Sequence, residues 1–198
     1  MRRKGIFFLI SLIVILLPLI SNATTYSFAP PDADLKDLDH SWADLWGIEF
    51  DLKANEKVVS ATLFFDNIRN WRIEPNDLYV SLLEDAQLGY SRELDTNLFP
   101  NHWEYHDHFL LELEHYVDLS NIAQDLIYNF SNDELAQLNL AIGDGFFGLG
   151  FDADCHFYND GIYLTIETVE TEMPEPGSII LFFLGIIGLS QINRKRRE

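Results

Sequence analysis

Along the middle of the chain, apolar and polar side chains alternate with a period of two, the mark of strands that press one face against a core. Trp46, Ile48, Phe50 and Leu52 alternate with Gly47, Glu49 and Asp51. Val59, Ala61, Leu63 and Phe65, then Leu78, Val80 and Leu82, then Phe109, Leu111, Leu113 and Val117, keep the same rhythm. Phe147, Leu149, Phe151, Ala153, Cys155 and Phe157 share one face, and Ile162, Leu164 and Ile166 close the series. Six half-buried strands imply antiparallel sheets with one wet face each. The stretches 70–76 and 85–103 are longer than simple hairpins and favour crossings between two sheets. The expected fold class is therefore all-β, an antiparallel β-sandwich of jelly-roll type. One short helix is expected as well. Ser131 at the N-cap and Glu134 at N3 form a capping box, Leu135, Leu138 and Ile142 give an apolar stripe, and Gly143 is the expected stop. The polar stretch 168–172 reads as a tether.

Both ends carry apolar runs of another kind. Arg2, Arg3 and Lys4 precede the apolar segment 6–20, and Ser21-Asn22-Ala23 supplies small residues at a cleavage site. Residues 1–23 thus read as a secretory signal peptide cut after Ala23. Near the other end, Pro174-Glu175-Pro176 is followed by an apolar run, 178–192, and then by Arg194, Lys195, Arg196 and Arg197. Clustered Lys and Arg resist translocation and hold such a tail on the cytoplasmic side. Motif, span and basic tail in this order resemble the PEP-CTERM sorting signal of exosortase substrates in Gram-negative bacteria. The resemblance implies an exosortase as partner and cleavage near Pro174, Glu175 and Pro176. It also implies transient residence of 178–192 in the inner membrane and a cell-surface or extracellular destination. The logic parallels signals whose hydrophobic tail is removed from the mature protein.

The expected mature domain, 24–173, is one domain by size. It holds 6 Lys and Arg against 30 Asp and Glu, a net charge near −24. Such a surface repels nucleic acid and anionic lipid and attracts divalent cations. The abundance of Phe, Tyr, Leu and Ile argues for a packed core rather than disorder. Cys155 is the only cysteine, so no intramolecular disulfide forms.

Three segments resemble a globular domain that recurs ahead of PEP-CTERM tails: 38–48, 65–83 and 145–161. That resemblance implies an exported β-sandwich and no established activity.

Candidate chemistry centres on Asp152 and Asp154. In an extended strand Ala153, Cys155 and Phe157 face the core, while Asp152, Asp154 and His156 share the other face. Carboxylates two residues apart stand about 7 Å apart along a strand, close enough to hold one Ca²⁺. Calcium takes six to eight oxygens, so Glu74, Asn76 and Asp77 are the expected second contribution. A solvated acidic face is the alternative. His102, His106 and His108 have spacings compatible with zinc, against a reading as a polar loop. His115 falls on an apolar face and reads as a core histidine. Asp39 and His40 read as a dyad or as a turn. Cys155 sits on the core face, where a thiol is inert. Trp42, Trp71 and Trp103, with Tyr90, lie in or beside expected loops, where flat rings stack on sugars or plug the ends of the sandwich.

No catalytic residue stands out. The leading expectation is a non-enzymatic surface or matrix domain associated with exopolysaccharide and stabilised by calcium. A calcium-dependent carbohydrate-binding module and a secreted polysaccharide hydrolase remain open alternatives.

Overall fold

The computed structural model describes residues 23–96, 100–171 and 185. The apolar runs 6–20 and 178–192, and Pro174, Glu175 and Pro176, lie outside the described residues. Among the described residues no helix is long and apolar enough to cross a membrane.

The described residues form ten strands: β1 (Ala23–Phe28), β2 (Trp42–Glu49), β3 (Glu56–Asn70), β4 (Asp77–Glu84), β5 (Gly89–Leu94), β6 (Phe109–Val117), β7 (Gln124–Asn129), β8 (Phe146–Ala153), β9 (Phe157–Tyr158) and β10 (Gly161–Glu170). They build two antiparallel sheets. One runs β1-β10-β3-β7, with β9 paired to the end of β3, and the other runs β5-β2-β8-β4-β6. Successive strands β1 to β4 alternate between the sheets, and β6 to β8 cross again, so each sheet interleaves early and late strands. This is the expected jelly-roll sandwich.

The inner faces meet in a core of Leu63, Phe65, Ile68, Phe147, Leu149, Phe151, Phe157, Ile162, Leu164 and Ile166, all without accessible surface. Phe65 and Phe151 meet edge to face across it, ring centroids 5.9 Å apart. An α-helix, α1 (Asn132–Ala141), closes one side of the sandwich. Its capping box is formed as expected, Ser131 with Glu134. Leu135 and Leu138 face the core, and the Asn139 side chain exchanges hydrogen bonds with the Val58 backbone at 3.0 Å.

The expected pattern fails at several points, each for a physical reason. The second sheet has no simple wet face. The connection around β5 folds back over it, and Ala43, Leu45, Leu83, Ala86 and Trp103 form a second small core with Phe109. β2 and β4 are consequently buried on both faces. The helix does not stop at Gly143. A 3-10 turn, Ile142–Asp144, extends it, and Gly145 takes the left-handed conformation at φ 94°. The expected tether begins inside β10: Thr168 is fully buried and pairs with Val58. Val117 is exposed because β6 bulges twice against β4, which breaks the alternation. His115 is not a core residue. Its ring is partly exposed, stacks on Tyr79 at 4.1 Å and lies 2.7 Å from Asp77 Oδ1.

Candidate functional site

β3 bulges after Phe65, where Asn67 takes a positive φ of 51°. The bend carries Arg69 and Asn70 to pair with Tyr158 and Phe157 of β9. Leu38 also exchanges backbone hydrogen bonds with Phe157, at 3.0 and 2.7 Å. Three segments distant in sequence, 38–42, 71–75 and 154–158, therefore meet at one end of the sandwich. Between them lies a cleft of about 560 Å³, lined by Asp39, His40, Trp71, Arg72, Glu74, Pro75, Asp154, Cys155, His156 and Tyr158.

Trp71 is the larger and more exposed of the two aromatics of this cleft, at 47% against 38% for Tyr158. The Arg72 guanidinium lies 4.1 Å from the ring centroid. Arg72 Nη2 is 2.6 Å from Glu74 Oε2, and Trp71 Nε1 donates to Glu74 Oε1. Indole, guanidinium and carboxylate thus fix one another. The Arg72 hydrogen bond holds the Glu74 carboxyl down at about 2, with help from Cys155. The Cys155 thiol is 3.0 Å from Glu74 Oε1, and burial followed by that carboxylate pushes the thiol up, so it is no nucleophile.

On the opposite wall His156 Nδ1 lies 2.9 Å from Asp39 Oδ2. Partial burial opposes ionisation of Asp39, but the bonds from His156 and the Ser41 amide outweigh it and hold the carboxyl at about 2. His40 is the weaker partner of Asp39, at 3.6 Å. Asp154 differs: burial, then the charges of Asp77 and Asp95, raise its carboxyl. The cleft therefore offers two ionised acceptors, one carboxyl that is easier to protonate, a fixed cation and an open indole.

The residues expected to hold calcium separate. Asp152 does share the outer face of β8, but the segment 101–103 covers it completely. Its Oδ2 accepts from the His102 amide at 2.6 Å, and burial raises the carboxyl to about 7 against that bond. Glu74 is committed to Arg72. Asn76 is buried and bonds the Glu74 and Leu119 carbonyls and the Leu119 amide. Asp77 lies against His115, although its carbonyl accepts from the Asp154 amide at 3.0 Å. No three of Asp152, Asp154, Glu74 and Asp77 bring ligand atoms within 4.8 Å of one another.

The aromatics separate too. Trp103 is only 2% exposed and presents no ring to solvent. A Cβ on Gly150 would meet its ring at 2.7 Å, so that glycine is what lets the indole lie on the sheet. Trp42 is 36% exposed, but its neighbour is Arg92, 5.6 Å from the ring, away from the cleft. Tyr90 donates to Asp44 Oδ1 at 2.6 Å. Ala23 is exposed and opens β1 opposite Val169.

Two pairings escaped the sequence. Asp39 and His156 are 117 residues apart and are brought together by the Leu38–Phe157 bridge and the bonds of Asn159 to Asp37 and the Asp34 carbonyl. Of the three spaced histidines, His102 and His106 do meet, 3.0 Å apart, with Glu93 as the third member rather than His108.

No protein-family model matches the chain, and no curated protein matches it. Among solved structures, it is similar to a latent aurone synthase, a polyphenol oxidase, at TM-score 0.38 and 8% identity over 69% of this chain and 26% of that one. It is similar to the Tomato Aspermy Virus structure at TM-score 0.28 and 12% identity, over 87% and 97%. It is also similar to the CBM22-1–GH10 modules of Clostridium thermocellum xylanase 10B, solved with xylohexaose, at TM-score 0.26 and 6% identity, over 74% and 29%. The chain spans about a quarter of the length of the polyphenol oxidase. Likeness at this level assigns no chemistry, and the cleft must be read from its own residues.

Proposed function

We propose that the protein is an exported, exosortase-processed domain of the cell surface or extracellular matrix that binds polysaccharide, without cleaving it, through the cleft at the end of the sandwich. The observation that carries this reading is Trp71. It is half exposed on a concave surface and held rigid by Glu74 and Arg72. A fixed aromatic plate beside ionised carboxylates suits a polyhydroxylated ligand, which offers a flat apolar face and a rim of hydroxyl donors. Binding sites combine an apolar surface with a few placed polar groups in this way.

The signals at 1–23 and 174–198 supply the route, with the exosortase and the inner membrane as transient partners. The acidic surface makes nucleic acid an improbable ligand on charge grounds. Calcium is not needed by this reading.

Asp154 gives a specific reason to keep a hydrolase as the second reading. Its raised carboxyl shares the cleft with ionised Asp39, an unequal pair of the kind glycoside hydrolysis uses, while Glu74 is held by Arg72. One experiment separates the two. The full chain is incubated with a panel of polysaccharides, scoring both retention and release of reducing ends. Retention lost in Trp71→Ala, without cleavage, supports the binder. Cleavage abolished by Asp154→Asn would replace it with the hydrolase.

A further inference from the structure

We infer that Glu93, His102 and His106 form a binding site for a first-row divalent metal of the zinc class, on the outer face of the second sheet and apart from the cleft. Glu93 is the penultimate residue of β5. His102 opens a 3-10 turn, His102–Tyr105, and His106 is its C-cap. One ring nitrogen of each histidine and one Glu93 oxygen converge. His102 Nε2 and His106 Nε2 are 3.0 Å apart, and Glu93 Oε2 is 3.6 Å from the first and 3.5 Å from the second.

These separations bracket those around a shared ion, whereas a mutual hydrogen bond accounts for one of the three. Donors bound at about 2.0–2.1 Å to a tetrahedral centre stand about 3.3–3.4 Å from one another. A hydrogen bond between the rings accounts for the His102–His106 distance alone. It leaves the carboxylate oxygen equidistant from both nitrogens and beyond ordinary N–H···O range. Two imidazoles with one carboxylate are a donor set for Zn²⁺ or Fe²⁺ rather than for Ca²⁺, which takes oxygens.

The turn that carries both histidines is held independently of any ion. The His102 amide donates to Asp152, Trp103 is buried beneath the turn, and Asn101 Nδ2 donates to Ser81 and Glu112. The ring also has an outer partner. Asp95 Oδ1 lies 3.5 Å from His102 Nδ1, on the far side from the shared point, so its charge faces the ring from just outside hydrogen-bond range. A carboxylate behind a ligating imidazole fixes its orientation and raises its basicity. A pocket of about 240 Å³ has Glu93, His106 and His108 in its wall and leaves room for a water as fourth ligand. A bound ion would pin the turn to the end of β5 and hold the lid over Asp152.

The full chain, purified in mild detergent and stripped with chelator, is titrated with Zn²⁺ by calorimetry and with Co²⁺ by visible absorption. The expected result is one Zn²⁺ per chain, a tetrahedral Co²⁺ spectrum that Zn²⁺ displaces, and no displacement by excess Ca²⁺. Asp95→Asn should weaken binding by about 10–100-fold. Glu93→Gln and His106→Gln should weaken it more and abolish the Co²⁺ spectrum. Glu93 and His106 are partly exposed, so these variants keep the fold, which circular dichroism verifies. Zn²⁺ affinity unchanged in Glu93→Gln and His106→Gln, an octahedral Co²⁺ spectrum, or displacement by Ca²⁺ would each overturn the inference and assign the binding to the acidic surface. No binding at all would leave the three groups as a hydrogen-bonded cluster and equally overturn it.

Discussion

Arg92 Nη2 lies 2.9 Å from Asp44 Oδ1, and the same guanidinium donates to the Leu35 and Asp37 carbonyls. Leu35, Lys36 and Asp37 all take positive φ, between 53° and 59°. Arg92 thus clamps a left-handed turn to the buried side chain of β2. Arg92→Ala removes the clamp and strands Asp44, whose side chain is almost fully buried. Breaking a buried pair costs about 3–5 kcal/mol when the remaining group stays charged. Arg92 is partly exposed, so about 3 kcal/mol is expected at pH above neutrality, a fall in melting point of roughly 6–12 °C for a domain of this size. Arg92→Lys should recover little, because one ammonium cannot reproduce the fork across a carboxylate and two carbonyls. Thermal melts of the three proteins check this, and equal midpoints for wild type and Arg92→Ala would refute it.

The same carboxylate sets a pH dependence. Burial raises Asp44 to about 6, against the pull of Tyr90 and Arg92. A carboxyl raised on folding contributes stability that is fully present below its unfolded value near 4 and is lost as pH rises through about 6. Asp39 acts in the opposite window: held at about 2, its contribution is present above pH 4 and is lost as pH falls toward 2. The melting point should therefore peak at about pH 4, and buried Asp152, raised to about 7, adds to the descent above it. Asp44→Asn should flatten the descent between about pH 4 and 6, a difference of at most about 3 kcal/mol. The measurement is a series of melts of both proteins across this range at fixed ionic strength. Parallel curves would show that Asp44 does not titrate there.

How much of this was legible followed from which faces are buried. β3 and β10 keep one face on the core, and their alternation stands out in the sequence. β2, β4 and β8 lie under a second layer, so their outward residues are buried as well; in β8 the covered outward positions are Gly148, Gly150 and Asp152. β1, β5 and β7 are flanking strands with sequences such as Thr24-Thr25-Tyr26 and Gln124-Asp125-Leu126, too polar to announce themselves. At the cleft, the loop carrying Trp71 and Glu74 was visible as a local stretch, whereas Asp39 and His156 needed the tertiary bridge at Leu38. The i, i+4 spacing of His102 and His106 was a visible hint. Glu93 was invisible, because only the return of the chain over the sheet brings it near.

Gly150 is expected to tolerate no side chain. Its missing Cβ leaves the space that the Trp103 ring fills, with Cδ1 and Nε1 both 2.7 Å from the ideal Cβ position. Gly150→Ala must lift the indole, at about 1–3 kcal/mol as for other overpacked sites. Gly143→Ala, with open space around the added methyl, should be nearly neutral. Lifting Trp103 would also tilt the turn between His102 and His106, so Gly150→Ala should weaken Zn²⁺ binding where Gly143→Ala does not. Denaturant midpoints with matched zinc titrations read both effects.

Cleavage near Pro174-Glu175-Pro176 should release the domain without loss of fold. β10 ends at Glu170, and the Thr171 amide and hydroxyl both bond the Asn55 carbonyl. The last anchoring contacts of the described chain are thus complete three residues before Pro174. At the other end Ala23 pairs only with Val169 at the fringe of β1, so cutting after it removes one terminal pair and leaves five. The expected mature form therefore melts within about 1 °C of the full chain once the shared detergent is matched, consistent with terminal residues that add little to stability. Intact-mass analysis of the cell-surface protein, with and without an active exosortase, decides the cleavage. A surface form that keeps 178–192 in the presence of the enzyme would make the apolar run an ordinary anchor.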